Sequence, residues 1–95
     1  MSGFPLRQAV RITNPQGFHM RPKAAFAELA SRFQSTVAVY WEGRAWNGKS
    51  MWDLMLVAAP QDAEVVVEVD GPDVAEALAA LVAVLTDPPD EDPAA

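Results

Sequence analysis

Residues 63–86 set the tightest limit on the fold. Across residues 63–70 the chain alternates: Val65, Val67 and Val69 fall on one side, Val66, Glu68 and Asp70 on the other. A period of two marks a strand with one buried face. Three residues later the period changes. Val74, Ala77, Leu78, Leu81, Val82 and Leu85 recur at i, i+3, i+4, i+7, i+8 and i+11, a single apolar stripe on a helix. That helix is expected to start near Asp73, with Glu76 giving it an acidic first turn that suits its dipole. A one-faced strand and a one-striped helix bury their apolar sides by packing on each other, which points to two layers.

The other segments fit that limit. Residues 4–12 read as a strand in which Leu6, Val10 and Ile12 alternate with Arg7, Ala9 and Arg11. Thr13-Asn14-Pro15-Gln16-Gly17 is a dense turn cluster. Pro22, Phe26, Leu29, Ala30 and Phe33 then form a second helical stripe. Pro22 suits a first turn, where an N–H has no intrahelical acceptor anyway. This helix is expected to begin near residues 19–21, with His19 at or beside the N-cap, and to end near residues 31–32. Residues 36–41 are rich in strand formers, Glu42-Gly43 is a turn and residues 44–46 a short return strand, so the unit is a hairpin. Ser50 with Asp53 three later resembles a capping box and opens a short helix, with Met51, Leu54 and Met55 on one side. The order is β-α-β-β-α-β-α. It predicts an α+β fold, a two-layer open-faced sandwich with helices on one face of the sheet and solvent on the other. One domain is expected over residues 1–86. From Asp87 onward the chain is rich in Pro and acids, with nothing apolar larger than Ala, and residues 87–95 are expected to be a disordered tail.

Composition removes several kinds of function. The chain has 95 residues, enough for one core. With no cysteine there is no disulfide, no thiolate nucleophile and no Cys-bound metal. The single histidine, His19, excludes any site that needs two. No apolar run reaches the roughly 18 residues of a membrane span, and no signal peptide is visible. The expectation is a cytoplasmic protein without cofactor, bound metal or membrane insertion. All seven basic residues lie in the first 50, against Glu28 and Glu42, whereas residues 51–95 hold eleven acids and no Lys or Arg. A net charge of −6 without a basic stripe argues against nucleic-acid binding. It leaves room for a local anion site in the first half.

The residues fit for chemistry concentrate in Gly17-Phe18-His19-Met20-Arg21-Pro22. Gly17 permits a tight turn. His19 arrives at a helix start, whose N–H groups and positive dipole end favour an anion. The same positive end sits better beside a neutral imidazole than an imidazolium, and a neutral ring has a lone pair to donate. Arg21 adds a fork of donors. Such a cluster suits a phosphoryl acceptor. On these residues alone a second reading stays open, in which His19 merely caps the helix and Arg21 is a solvated charge.

The segment Asn14-Pro15-Gln16-Gly17-Phe18-His19-Met20-Arg21-Pro22 resembles the active-site segment of HPr, the histidine phosphocarrier family of the bacterial phosphotransferase system. The family pattern is Gly, an apolar residue, the phosphorylated His, a small residue, Arg, Pro. Asn47-Gly48-Lys49-Ser50-Met51-Trp52 falls where the family carries its second motif, and the separation of 31 residues between His19 and Ser50 is the family's own. The resemblance implies a four-stranded antiparallel sheet with three helices on one face. It implies that His19 accepts phosphate on Nδ1 from phospho-enzyme I and passes it to an EIIA component. Arg21 and the helix-opening N–H groups, in the region of Met20 and Pro22, would hold that phosphate. Ser50 would be the regulatory site of HPr kinase/phosphorylase, and Met51, Trp52 and Met55 an apolar docking patch. The protein would be a monomer and a stoichiometric carrier rather than a turnover enzyme.

Several positions depart from the family. Met20 replaces the small residue after the His. Lys23 stands where a small residue is usual, either as a cation close to the phosphate or as a solvated side chain. Glu28 and Asp53 make the docking face less basic. Trp52 reads as an exposed interface residue or as partly buried, and Met51 and Met55 as core filler or binding surface. Ser50 also fits a plain helix cap. Trp41 and Trp46 receive no role from the resemblance. The departures at Met20 and Asp53 support an alternative, a regulatory binding module acting through Ser50 and the docking patch with His19 dispensable. The intact Gly17, His19, Arg21 and Pro22 favour the carrier. A hydrolase or transferase lacks the residues it would need.

Overall fold

The structure is a computed structural model that describes residues 5–86. The tail expected over residues 87–95 lies outside the described residues, as do residues 1–4. Seven elements follow in the expected order: β1 (Leu6–Arg11), α1 (Met20–Ala30), β2 (Thr36–Trp41), β3 (Arg44–Asn47), α2 (Met51–Leu54), β4 (Glu64–Asp70) and α3 (Val74–Thr86). The four strands form one sheet in the order β1-β4-β2-β3, antiparallel at every pairing.

The register explains the single core. Val10 pairs with Val65, Val37 with Val69 and Val39 with Val67, so the alternating valines of three strands meet on one face. Phe26, Ala27 and Ala30 of α1, Leu54 of α2, and Ala77, Leu78, Leu81, Val84 and Leu85 of α3 join the buried cluster, with Ile12, Phe18, Val57 and Ala59 from the connecting segments. The other face is polar. There Tyr40 donates to Glu68 at 2.7 Å, and Arg7 donates to Glu68 at 3.1 Å while lying over the Tyr40 ring. The Tyr40 hydroxyl, more than Arg7, holds the Glu68 carboxyl below its usual range.

Two details differ from the sequence expectation. Leu6 is exposed, because it begins an edge strand with a neighbour on one side only. Val84 is buried off the six-residue stripe, because α3 contacts α1 as well as β1 and β4, which widens its buried face.

Two chain junctions hold the helix layer in place. Thr13 Oγ1 donates to the carbonyl of Thr86, tying the end of α3 to the exit of β1. At the far end of α1, Asp73 accepts from the backbone N–H groups of Gln34 at 2.9 Å and Ser35 at 3.0 Å, and from the Ser35 hydroxyl. The start of α3 is thereby locked to the entrance of β2.

Candidate functional site

The turn before α1 is built to deliver one side chain to a helix start. Asn14 is buried. Its side-chain oxygen accepts from the N–H of Gln16 at 2.9 Å and its carbonyl from the N–H of Gly17 at 2.8 Å. Gly17 has φ +72°, and a Cβ there would sit 2.7 Å from the carbonyl oxygen of Ala59. Only glycine fits both demands. The next N–H, of Phe18, donates to that same carbonyl at 2.9 Å. The Phe18 ring is buried edge-on against Phe26, 6.1 Å between centroids. The chain is thus pinned on both sides of Gly17, and the next residue, His19, is the N-cap of α1.

His19 is extended, with φ −91° and ψ −172°, and its carbonyl accepts the N–H of Lys23 at 3.0 Å, the first intrahelical bond. Its side chain does not cap the helix. Instead, Nδ1 lies 3.2 Å from the carbonyl oxygen of Gly17. A carbonyl only accepts, so this hydrogen bond requires a proton on Nδ1, which in the neutral ring leaves the lone pair on Nε2. The ring is half-buried, beside the exposed Met20 and Arg21 of the first turn. Pro22, which contributes no N–H, is buried and fixes the helix entry. A helix cannot satisfy its opening N–H groups internally, and this one opens with His19 as N-cap and carries Arg21 in its first turn.

Lys23 is not the solvated side chain that sequence left open. It is 7% exposed. Its ammonium donates to the carbonyl of Met55 at 3.4 Å and lies 5.7 Å from the centre of the Phe18 ring. Burial pushes the Lys23 ammonium below the ordinary lysine value. This contact joins the start of α1 to the segment after α2.

Ser50 is the N-cap of α2, and its Oγ accepts from the N–H of Asp53 at 3.2 Å. Asp53 in turn accepts from the N–H of Asn47 at 2.9 Å, so it braces the loop before the helix. Lys49 donates to the carbonyl of Phe33 near the far end of α1 at 2.8 Å. Ser50 therefore sits toward that end, while Met55 meets the end that carries His19.

The docking residues separate. Met51 packs against the core, whereas Met55 is exposed and Trp52 is 80% exposed. Leu56, missed by the sequence reading, joins them at 61% exposure. The run Leu54-Met55-Leu56-Val57 held the signal: Leu54 and Val57 are fully buried, which turns the two between them outward. Leu56 also borders a cleft of about 330 Å³ lined by Trp41, Glu42, Arg44 and Trp46, in which the Arg44 guanidinium lies 4.8 Å from the Trp46 ring centre.

Comparison with known proteins agrees with this geometry. Residues 6–87 match the family described as the PTS HPr component phosphorylation site. The chain is 41% identical over 76 residues to the phosphocarrier protein HPr of Neisseria meningitidis, covering 80% of this chain and 85% of that one. It is 38% identical over 80 residues to the phosphocarrier protein HPr of Cupriavidus necator, covering 84% and 90%. Its fold superposes on the crystal structure of HPr from Bacillus anthracis with a TM-score of 0.83 at 28% identity, covering 87% of this chain and 99% of that one. A turn that delivers one histidine to a helix start beside Arg21, within this sheet and over this length of match, places the chain in the HPr family of phosphocarrier proteins of the phosphotransferase system.

Proposed function

We propose that His19 takes a phosphoryl group from phospho-enzyme I and passes it to an EIIA component. The observation that carries this reading is His19 as the N-cap of α1 with its ring free of any capping duty, two residues before Arg21 of the first turn. In the acceptance step a ring nitrogen of His19 bonds to phosphorus as the P–N bond on the phosphohistidine of enzyme I breaks. The attacking ring gives up its N–H proton and the leaving ring on enzyme I takes one up, both through solvent. If Nδ1 is the acceptor, its hydrogen bond to the Gly17 carbonyl must break first and the ring proton must move to Nε2. The first-turn N–H groups and the Arg21 guanidinium then face the transferred oxygens, in the region of Met20 and Pro22.

Trp52, Met55 and Leu56 offer the apolar surface on which enzyme I and EIIA dock in turn, with Met51 supporting it from below. Ser50 is the regulatory position in this reading, for an HPr kinase/phosphorylase. Phosphate there adds about two negative charges at the start of α2, beside Trp52 and Asp53, and weakens docking of acidic partners. The carrier acts as a monomer in the cytoplasm.

Reconstitution tests the carrier reading. Labelled phosphoenolpyruvate and catalytic enzyme I should load the protein, and addition of EIIA should discharge it. A His19→Ala protein should neither load nor discharge. Loading of His19→Ala to the wild-type level would overturn the assignment.

A further inference from the structure

Lys23 has an environment that the fold does not explain. A buried ammonium is costly unless its donors are well paired. Here it has three donors, and the hydrogen bond it makes, to the Met55 carbonyl, is long at 3.4 Å. Among the described residues it makes no ion pair with a carboxylate. Yet it is held close to the site. Lys23 follows His19 by four residues, the spacing that puts two side chains on one helix face, and helical side chains lean back toward the N-terminus. Its ammonium already lies over the ring of Phe18, the residue before His19.

We propose that Lys23 is a phosphate-binding residue that exchanges acceptors, holding the Met55 carbonyl in the free protein and an oxygen of the phosphoryl group on His19 in the phosphorylated protein. The dianion supplies the countercharge that the resting site lacks. The exchange also releases a carbonyl within the exposed segment Met55-Leu56, so the docking patch responds to the state of His19. No covalent step is added. The inference rests on the carrier reading for its relevance, but the test separates the two.

Lys23 and Lys49 are the two lysines of the chain, so lysine labelled with 13C and 15N gives two ammonium sites. Lys49, bonded to Phe33 at the far end of α1, is the internal control. The labelled full chain is phosphorylated on His19 with phosphoramidate, without any enzyme, and followed by NMR. The expected result is a shift of the Lys23 Nζ and Cε signals with those of Lys49 unmoved. Unmoved Lys23 signals would overturn the proposal. Lys23→Met, which keeps the length of the side chain, should lower the equilibrium constant for acceptance from phospho-enzyme I about tenfold. An unchanged constant would also overturn it. A Lys23 response to phosphoramidate in a protein that enzyme I cannot load would leave Lys23 standing and sink the carrier reading instead.

Discussion

The two ends of α1 are built on opposite principles. At the far end, the Asp73 carboxylate takes the N–H groups of Gln34 and Ser35 and the Ser35 hydroxyl, and Ser35 Oγ takes the N–H of Asp73 at 3.3 Å. Gly71 packs so closely that a Cβ there would lie 2.5 Å from Ser35 Cα. Donors and acceptors answer one another, and Ser35 is buried among them. At the near end, the His19 ring rests on one carbonyl, the Lys23 ammonium on another at 3.4 Å, and Met20 and Met55 face solvent. The Asp73–Ser35 pair is finished within the chain. The near end has exposed apolar side chains at Met20 and Met55, beside the half-buried His19.

Glycine substitutions at the two ends sharpen this contrast most strongly. Gly71→Ala forces a methyl into the backbone of Ser35 and should cost about 3 kcal/mol in urea unfolding. The folded fraction should still accept phosphate at the wild-type rate. Gly17→Ala combines a positive φ with a clash on the Ala59 carbonyl and should cost about 2 kcal/mol. It should also lose most phosphoryl acceptance, because it displaces the turn that aims His19. Wild-type acceptance by Gly17→Ala would break the contrast.

Acid probes the finished end by a milder route. The Ser35 hydroxyl, followed by the Gln34 N–H, holds the Asp73 carboxyl below its ordinary value of 3.8. A depressed folded value means the stability it brings is present above the unfolded value and lost as pH falls through the folded one. Thermal melting should therefore fall as pH drops below about 4. Asp73→Asn, which has no such carboxyl, should start from a lower Tm at neutral pH and lose less on acidification.

The smallest stability effect belongs to Arg21→Ala. An exposed side chain on the first turn should change unfolding by no more than about 0.5 kcal/mol. Its acceptance of phosphate should slow by about tenfold, the loss of one charge-assisted contact. A large loss of stability with unchanged transfer would show that the near end, too, is built for folding.

Local signals were legible in the sequence and long-range pairings were not. The period-two valines of β4, the Pro22 start of α1 and the Ser50 cap of α2 are written within a few residues, and the structure has each of them. The turn, His19 and Arg21 were readable for the same reason. The Asp73–Ser35 staple joins residues 38 apart, and no periodicity encodes it. Lys23 read either as a cation close to the phosphate or as a solvated side chain, and its burial was not legible because it depends on Phe18 and Met55, which approach from other segments. Leu56 was missed because a one-turn helix gives too short a stripe to show where the chain turns outward.

The most direct test of the account is the chemistry of the bound phosphate. After treatment with enzyme I and phosphoenolpyruvate, intact-mass analysis should show one added phosphate. It should disappear in acid and survive alkali, as phosphohistidine does and phosphoserine does not. Peptide mapping should place it on His19, the one histidine of the chain. An acid-stable phosphate, or any label that persists in His19→Ala, would contradict the claim that the near end of α1 is a phosphoryl-acceptor site.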